Sequence, residues 1–334
     1  MDREFEGKSI ILYVPNHFGL PQVFRKNLEY LGFEVFPIAL SSVDFKMSKT
    51  DKFRHGVNKL VWKRNTIKPR LIAEFKSEPI FKTLETIPQK VDFALIIRPD
   101  LLSEKAILAI KEKVNILVGY QWDGLGRFPR SKELINLFDR FFVFDKADQK
   151  RFPTAIATDN FYFDYLHEDF KHKNDIYFVG TYMKDRMNEI FQLSAIFSKL
   201  NLRADLRVVC NSENKLNKCK KSPYLNCSMK GITFEESIRK MNEGSVLLDF
   251  QNSVHTGLSF RVFEAIGYQK KLITNNPLVL CYDFYDPTRV LFLKNINEYE
   301  IEEFLKTEAK PFSQEIIEKY SFSTWIKNKL TENL

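Results

Sequence analysis

Residues 252–276 read NSVHTGLSFRVFEAIGYQKKLITNN, directly after the apolar run Ser245–Phe250 (SVLLDF). A short, largely apolar run of this length is the pattern of a strand buried on both faces. Leu258–Ile266 then has helical spacing, and Lys271–Thr274 returns to a strand pattern after Gly267. Strand, polar loop, helix and strand in that order make one parallel crossover unit.

The same alternation extends outward. Upstream come a strand at Ile176–Val179, a helix at Asp185–Leu200, a strand at Leu206–Cys210 and a helix at Thr233–Asn242. Thr233 and Glu236 form a capping box for that last helix. Val290–Leu293 adds a further strand. The first half alternates likewise, with strands at Ser9–Val14, Glu34–Leu40, Phe93–Ile97, Asn115–Tyr120 and Arg140–Phe144. Helices are expected between them at Leu20–Leu31, Leu71–Leu84, Ser103–Lys113 and Ser131–Phe138.

Periodicity fails over Asn160–Asn174 (NFYFDYLHEDFKHKN), which reads as the interdomain connection and hinge. The expected class is α/β, with two Rossmann-like doubly wound domains at 1–165 and 166–312 facing a cleft. Residues 313–334 are expected to form one or two helices, anchored by Tyr320, Phe322 and Trp325, that pack back on the first domain. A ligand belongs at the carboxyl ends of the strands.

Composition narrows the function classes. The chain has 334 residues, 44% of them apolar, enough for two buried cores. Its N-terminus, MDREFEGK, runs straight into a strand pattern and does not read as a secretory signal. No window reaches the roughly 18 unbroken apolar residues of a membrane span. Cys210, Cys219, Cys227 and Cys281 show no C-x-x-C pair, so reduced thiols without metal or disulfide are expected, consistent with a cytoplasmic location. The net charge of +8 is spread along the chain apart from a cluster at Lys215–Lys221, and no nucleic-acid-binding motif accompanies it.

The 252–276 stretch also carries the chemistry. Gly257 before a helix lets a phosphate approach free backbone N–H groups, where the helix dipole favours negative charge. Arg261 lies in the first helical turn and can add a charge-assisted contact. Glu264, three residues on, shares its face and is placed to accept hydrogen bonds from ribose hydroxyls. The same spacing is also that of an ordinary surface ion pair.

Gly257-Leu258-Ser259-x-Arg261-x-Phe263-Glu264-Ala265, followed by Leu272-Ile273-Thr274-Asn275, resembles the donor-binding stretch of bacterial GT-B glycosyltransferases. The group in question is the one associated with lipopolysaccharide core and capsule assembly. Phe178-Val179-Gly180-Thr181-Tyr182 with Arg186 resembles that group's loop facing the donor phosphates. Tyr120-Gln121-Trp122-Asp123 and Phe144-Asp145-Lys146-Ala147-Asp148 resemble two segments of its first domain. The resemblance implies a nucleotide-sugar donor, such as CMP-Kdo or a UDP- or GDP-hexose. The implied donor-binding residues are Gly180, Thr181, Arg186, His255, Thr256, Gly257, Leu258, Ser259, Arg261 and Glu264. The Arg-x-x-x-x-Lys pair of better-known relatives is not evident.

An inverting transfer needs a base for the acceptor hydroxyl. His17, Asp100 and Asp123 lie on loops after first-domain strands, and Asp123 is preferred, because Gly124 and Gly126 beside it leave room for a substrate. Asp123 could equally cap the following turn. Gly124-Leu125-Gly126 lacks the third glycine of a dinucleotide fingerprint, and Asp283-Phe284-Tyr285-Asp286 has the wrong spacing for an Asp-x-Asp metal motif. No metal or other cofactor is therefore expected. Tyr162, Phe163 and Tyr165 are expected to be exposed and able to stack on sugar rings.

Expected partners are the nucleotide-sugar and an anionic glycan or glycolipid acceptor, with peripheral contact at the inner membrane face and no nucleic acid. Three other readings remain: a catalytically silent nucleotide- or glycan-binding protein of an assembly complex, a nucleotide-sugar epimerase, and a periplasmic-type binding protein. The absence of a signal and the single apparent crossover between halves speak against the last.

Overall fold

A computed structural model describes residues 5–45, 67–88, 90–166, 173–251 and 257–331. The chain divides into two compact units, one of Met1–Pro15, Phe24–Thr158 and Lys327–Leu334, the other of Asn16–Val23 and Asp159–Ile326. The chain therefore passes from one unit to the other at four places, where a single crossover was expected. The main division falls at 158/159, and of the C-terminal segment only the part from Lys327 onward groups with the first unit.

The first unit is built on a six-stranded sheet of order β2-β1-β3-β4-β5-β6. Its strands are β1 Ser9–Tyr13, β2 Glu34–Pro37, β3 Val91–Ile97, β4 Val114–Gln121, β5 Arg140–Val143 and β6 Ile156–Ala157, and every pairing is parallel. A parallel sheet needs helices on its faces, and its central strands are apolar throughout because both faces are buried. Ala94 to Ile97 in β3 are wholly buried. Against them pack Ile80 and Leu84 of helix Ile67–Thr86 and Ala106, Ile107 and Ile110 of helix Glu104–Lys113. Ser103 caps the latter by accepting from the Ala106 N–H at 3.1 Å.

The second unit repeats the plan, with sheet order β12-β11-β10-β7-β8-β9. Here β7 is Asn174–Thr181, β8 Ala204–Val209, β9 Asn226–Ser228, β10 Gly244–Asp249, β11 Lys271–Thr274 and β12 Val290–Phe292, again all parallel. Helix Lys184–Lys199 buries Met187, Ile190, Leu193 and Phe197 against one face. The expected α/β class with two Rossmann-like sheets is thus the observed one. Among the described residues no helix is long and apolar enough to cross a membrane.

Four expectations are corrected. The segment Ser131–Phe138 is only a four-residue α-turn, Ser131–Leu134, followed by a 3₁₀ turn, Ile135–Leu137. Short elements too brief to show periodicity went unread: helices Lys146–Arg151 and Glu213–Cys219, and strands β6 and β9. The described part of the 160–174 stretch is core: Phe161 and Phe163 are buried, and the Phe161 ring lies 5.0 Å from Phe322 and 4.6 Å from Trp325. Tyr162 is buried with them, so Tyr162 and Phe163 are not exposed stacking platforms. The mixture of aromatic and polar residues there reads as irregular, but the consecutive residues Asn160 to Phe163 are all buried.

The cysteines supply the fourth correction. Cys219 and Cys227 form a disulfide with Cα atoms 6.2 Å apart. The helix Glu213–Cys219 ends on a buried cysteine, and the following turn returns the chain to β9 opposite it. The argument from reduced thiols to a cytoplasmic location is removed with that pairing. Cys210 and Cys281 are free.

Candidate functional site

In an open parallel sheet, ligands bind where strand order reverses, at the carboxyl ends. In the second unit that reversal lies between β7 and β10, which pair directly. The ends of these strands are Gly180-Thr181 and Asp249, and the helix Phe260–Gly267 begins eleven residues beyond Asp249.

Asp249 organises the loop. It is buried, its Oδ1 accepts the Ser259 hydroxyl at 2.6 Å, and its Oδ2 accepts the Thr274 hydroxyl at 2.9 Å. Ser259 in turn caps the helix by accepting the Arg261 N–H at 3.2 Å. Its hydroxyl is thereby committed to the protein. Leu258 is buried, with its carbonyl accepting from Asn160 Nδ2 at 2.9 Å, and the Gly257 carbonyl accepts from Asn276 Nδ2 at 3.5 Å. The described end of the loop, residues 257–259, is therefore held from several directions. His255 and Thr256 lie outside the described residues.

Two arginines stand at this edge. Arg261 Nε is 3.0 Å from Glu264 Oε2, both side chains being mostly buried, and the Arg261 guanidinium lies 5.7 Å from the Tyr177 ring centroid. This is a buried pair on the inner side of the helix, not the surface ion pair that the spacing also allowed. Burial pushes the Glu264 carboxyl above its ordinary range, while the Arg261 charge pulls it back. Arg186, on the first turn of helix Lys184–Lys199, donates from Nη2 to the Thr181 carbonyl. Burial lowers its pKa, the Asp249 and Asp185 charges oppose that, and the Arg261 charge adds to it. Among the described residues, Nε of Arg186 and Nη1 of Arg261 are buried without a partner, whereas Nε of Arg261 is taken up by Glu264. An idle buried N–H costs about 1–3 kcal/mol, so such donors at a ligand-binding edge point to an acceptor supplied from outside.

Gly180 is needed here for space. A Cβ on it would stand 2.9 Å from Arg186 Nη2 and 2.8 Å from the Phe178 ring. A small pocket opens beside Asp249, lined also by Glu189, Thr274, Asn275 and Lys294. Glu189 accepts from Asn275 Nδ2 at 2.7 Å, and burial raises its pKa.

The first unit reverses its strand order between β1 and β3. Arg98, just past β3, is 7% exposed and sits in the left-handed region at φ 58°, ψ 62°. That backbone costs on the order of 1–3 kcal/mol in a non-glycine residue. It is held by the Arg98 N–H donating to the Tyr120 carbonyl at 2.9 Å and by a two-pronged guanidinium grip on Asp100 at 2.7 and 2.8 Å. The guanidinium also stacks 3.6 Å from the Phe128 ring centroid. Asp123 lies between Arg98 Nη1 and Arg127 Nη1, each 3.3 Å from one of its oxygens. It is thus a bridged carboxylate and not a simple turn cap. Burial and the neighbouring Asp100 charge push the Tyr13 phenol up.

The carboxylates of the 144–148 segment are structural. Asp145 caps the helix Lys146–Arg151 by accepting the Ala147 N–H at 2.9 Å, and Asp148 accepts the Leu125 N–H at 2.6 Å. His17 is exposed, in a turn where Phe18 and Gly19 have φ of 50° and 76°, and its segment groups with the second unit while Asp123 belongs to the first.

The structure therefore brings Gly180, Thr181, Arg186, Gly257, Leu258, Ser259, Arg261 and Glu264 to one strand edge. It adds Asp249 and Asn160, which the sequence reading did not single out, and Thr274, which it quoted only within the strand after the helix. An aspartate closing the apolar run SVLLDF was the available signal for the first of these.

No family model matches the sequence, and no curated protein matches it. Among solved structures, the chain is similar over 98% of both chains to AviGT4, a glycosyltransferase involved in avilamycin A biosynthesis, with TM-score 0.51 and 9% identity. It is also similar to the sucrose-phosphate synthase of Thermosynechococcus elongatus, with TM-score 0.53 and 12% identity over 95% of this chain and 96% of that one. At such identities the likeness concerns the fold, which is the two-Rossmann GT-B fold.

Proposed function

We propose that the protein is a glycosyltransferase that takes a sugar from a nucleotide-sugar donor. The observation that carries this reading is the set of idle N–H donors on Arg186 and Arg261 at the β7/β10 reversal. Pyrophosphate oxygens are the acceptors such donors suit, and preorganised cations stabilise the charge that develops on a leaving diphosphate. Glu264 then holds ribose hydroxyls and Gly257 admits the phosphate to the loop, with His255 and Thr256 assigned to the same donor from the sequence alone.

In the transfer the acceptor oxygen attacks the anomeric carbon and the carbon–oxygen bond to phosphate breaks. The nucleotide leaves with the bonding electrons, and the acceptor proton passes to a base. Asp123 is the assigned base, with His17 the alternative. Two guanidiniums meet the phosphate charge without a metal ion in this reading. CMP-Kdo and UDP- or GDP-hexoses are the donor classes, and the acceptor is an anionic surface glycan or glycolipid of the lipopolysaccharide or capsule kind, which the net charge of +8 favours. The protein then works in the cytoplasm, at the inner membrane face.

One observation favours a second reading, a silent nucleotide-binding protein: both Asp123 oxygens are already engaged by arginines. Release of free nucleotide from each donor, measured with and without a delipidated lipopolysaccharide acceptor, separates the two. Acceptor-dependent release is expected. Binding without release would sink the transferase reading and leave the second one.

A further inference from the structure

The second sheet ends on β9, an edge strand paired only with β8. The segment around it, residues 211–231, carries Lys215, Lys218, Lys220, Lys221 and Lys230 against a single acid, Glu213. Across the chain cations and acids are nearly balanced, 51 to 43, so this is a local excess. All but Lys215 are exposed, and Lys215 holds its ammonium 5.6 Å from the Tyr182 ring centroid. Among the described residues none of the five pairs with a carboxylate. Lys8, Lys111, Lys199, Lys306 and Lys319 elsewhere each lie within 3.0 Å of one. The field of this face is therefore not neutralised by the protein.

Two large apolar side chains stand among these lysines, Tyr224 at 47% and Met229 at 44% exposure. The face is also braced. Leu216 and Cys219 are buried, the Cys219–Cys227 disulfide closes the turn, and the Cys210 N–H donates to the Ser228 carbonyl at 2.8 Å.

We propose that the 211–231 face is a membrane-docking surface, with its lysines on the phosphates of an anionic bilayer and Tyr224 and Met229 in the interfacial layer. Lysine is a strongly hydrated point charge that needs no fixed partner geometry, which suits a diffuse layer of headgroups better than one shaped ligand. Exposed apolar side chains amid those charges gain only where an apolar phase meets them. The proposal deepens the membrane contact in the reading above but needs no donor or turnover, so it stands or falls separately.

The test is co-sedimentation of the full chain with vesicles of phosphatidylcholine alone and of phosphatidylcholine with 30% phosphatidylglycerol, a composition on the order of an anionic leaflet. Binding to the anionic vesicles only, lost in about 0.5 M salt, is expected. Each lysine at such a surface strengthens binding roughly fivefold, so Lys220→Gln/Lys221→Gln should bind about 25-fold more weakly. Tyr224→Ser/Met229→Ser should weaken vesicle binding about tenfold while leaving binding to soluble heparin unchanged. Unaltered melting of both variants shows that they fold. Equal binding to neutral vesicles, or undiminished binding by the lysine variant, would overturn the proposal. If the serine variant loses nothing on vesicles, the face serves a soluble polyanion and the membrane assignment is wrong.

Discussion

Each sheet carries an arginine–carboxylate cluster at the point where its strand order reverses, and the two clusters are finished differently. Around Arg98 in the first unit, the guanidinium grips Asp100, touches Asp123 and stacks on Phe128. Around Arg186 and Arg261 in the second, two guanidinium nitrogens, Nε of Arg186 and Nη1 of Arg261, find no partner among the described residues. A cluster that satisfies itself is a scaffold. One that leaves buried donors idle is waiting for an acceptor, and that difference assigns ligand binding to the second unit.

The largest expected effect falls on the carboxylate where scaffold and chemistry would overlap. If Asp123 is the base, Asp123→Asn should lower turnover by about 10²–10⁴-fold with nucleotide binding intact, as measured by steady-state kinetics beside a binding titration. Unchanged turnover would leave Asp123 as part of the scaffold alone.

Next come the arginines, whose responses should cross. Arg261→Ala strands the buried Glu264 carboxylate and should cost about 3–5 kcal/mol of stability, read by denaturant unfolding, and it should also abolish nucleotide stabilisation. Arg98→Ala should destabilise by a similar amount yet leave the nucleotide response of the surviving fold intact. Arg98→Gly should be milder by about 1 kcal/mol, because glycine accepts the left-handed backbone. If Arg98→Ala loses nucleotide binding and Arg261→Ala keeps it, the contrast is reversed.

The contrast was only partly legible in the sequence. The strand–loop–helix unit at 245–274 could be read because a short, largely apolar strand pattern and a helical repeat flank its glycine. Arg261 and Glu264 were visible as a pair, but their burial was not, since it depends on what packs over the helix. Asp249 joins Ser259 and Thr274, partners ten and twenty-five residues away, and no local pattern records that. The left-handed turn at Arg98 was hidden for a similar reason. Its cause is the fork on Asp100 and the stack on Phe128, not any preference of arginine.

Smaller effects sharpen the picture. Gly180→Ala should weaken nucleotide binding about tenfold by pushing Arg186 aside, and its clash with the buried Phe178 ring should also cost about 1–3 kcal/mol of stability. Glu264→Gln tests the electrostatics through pH. The folded-state pKa of Glu264 is raised, so its burial favours the native state most below the unfolded-state value and that contribution is lost as pH rises through the folded one. The variant's stability relative to the parent should therefore climb as pH rises above the ordinary glutamate range. A flat difference would mean that Arg261 fully offsets the burial.

The central claim is that the Arg186–Arg261 edge binds the phosphates of a nucleotide without a metal ion. Thermal unfolding with CMP, UDP, GDP and dTDP, each with and without EDTA, tests it most directly. Ligand at about a hundred times its dissociation constant adds roughly 2.7 kcal/mol to the native state, a shift of a few degrees. The account expects such a shift with at least one nucleotide, unaffected by EDTA and absent in Arg261→Ala. No shift with any of the four, or one that EDTA removes, would contradict it.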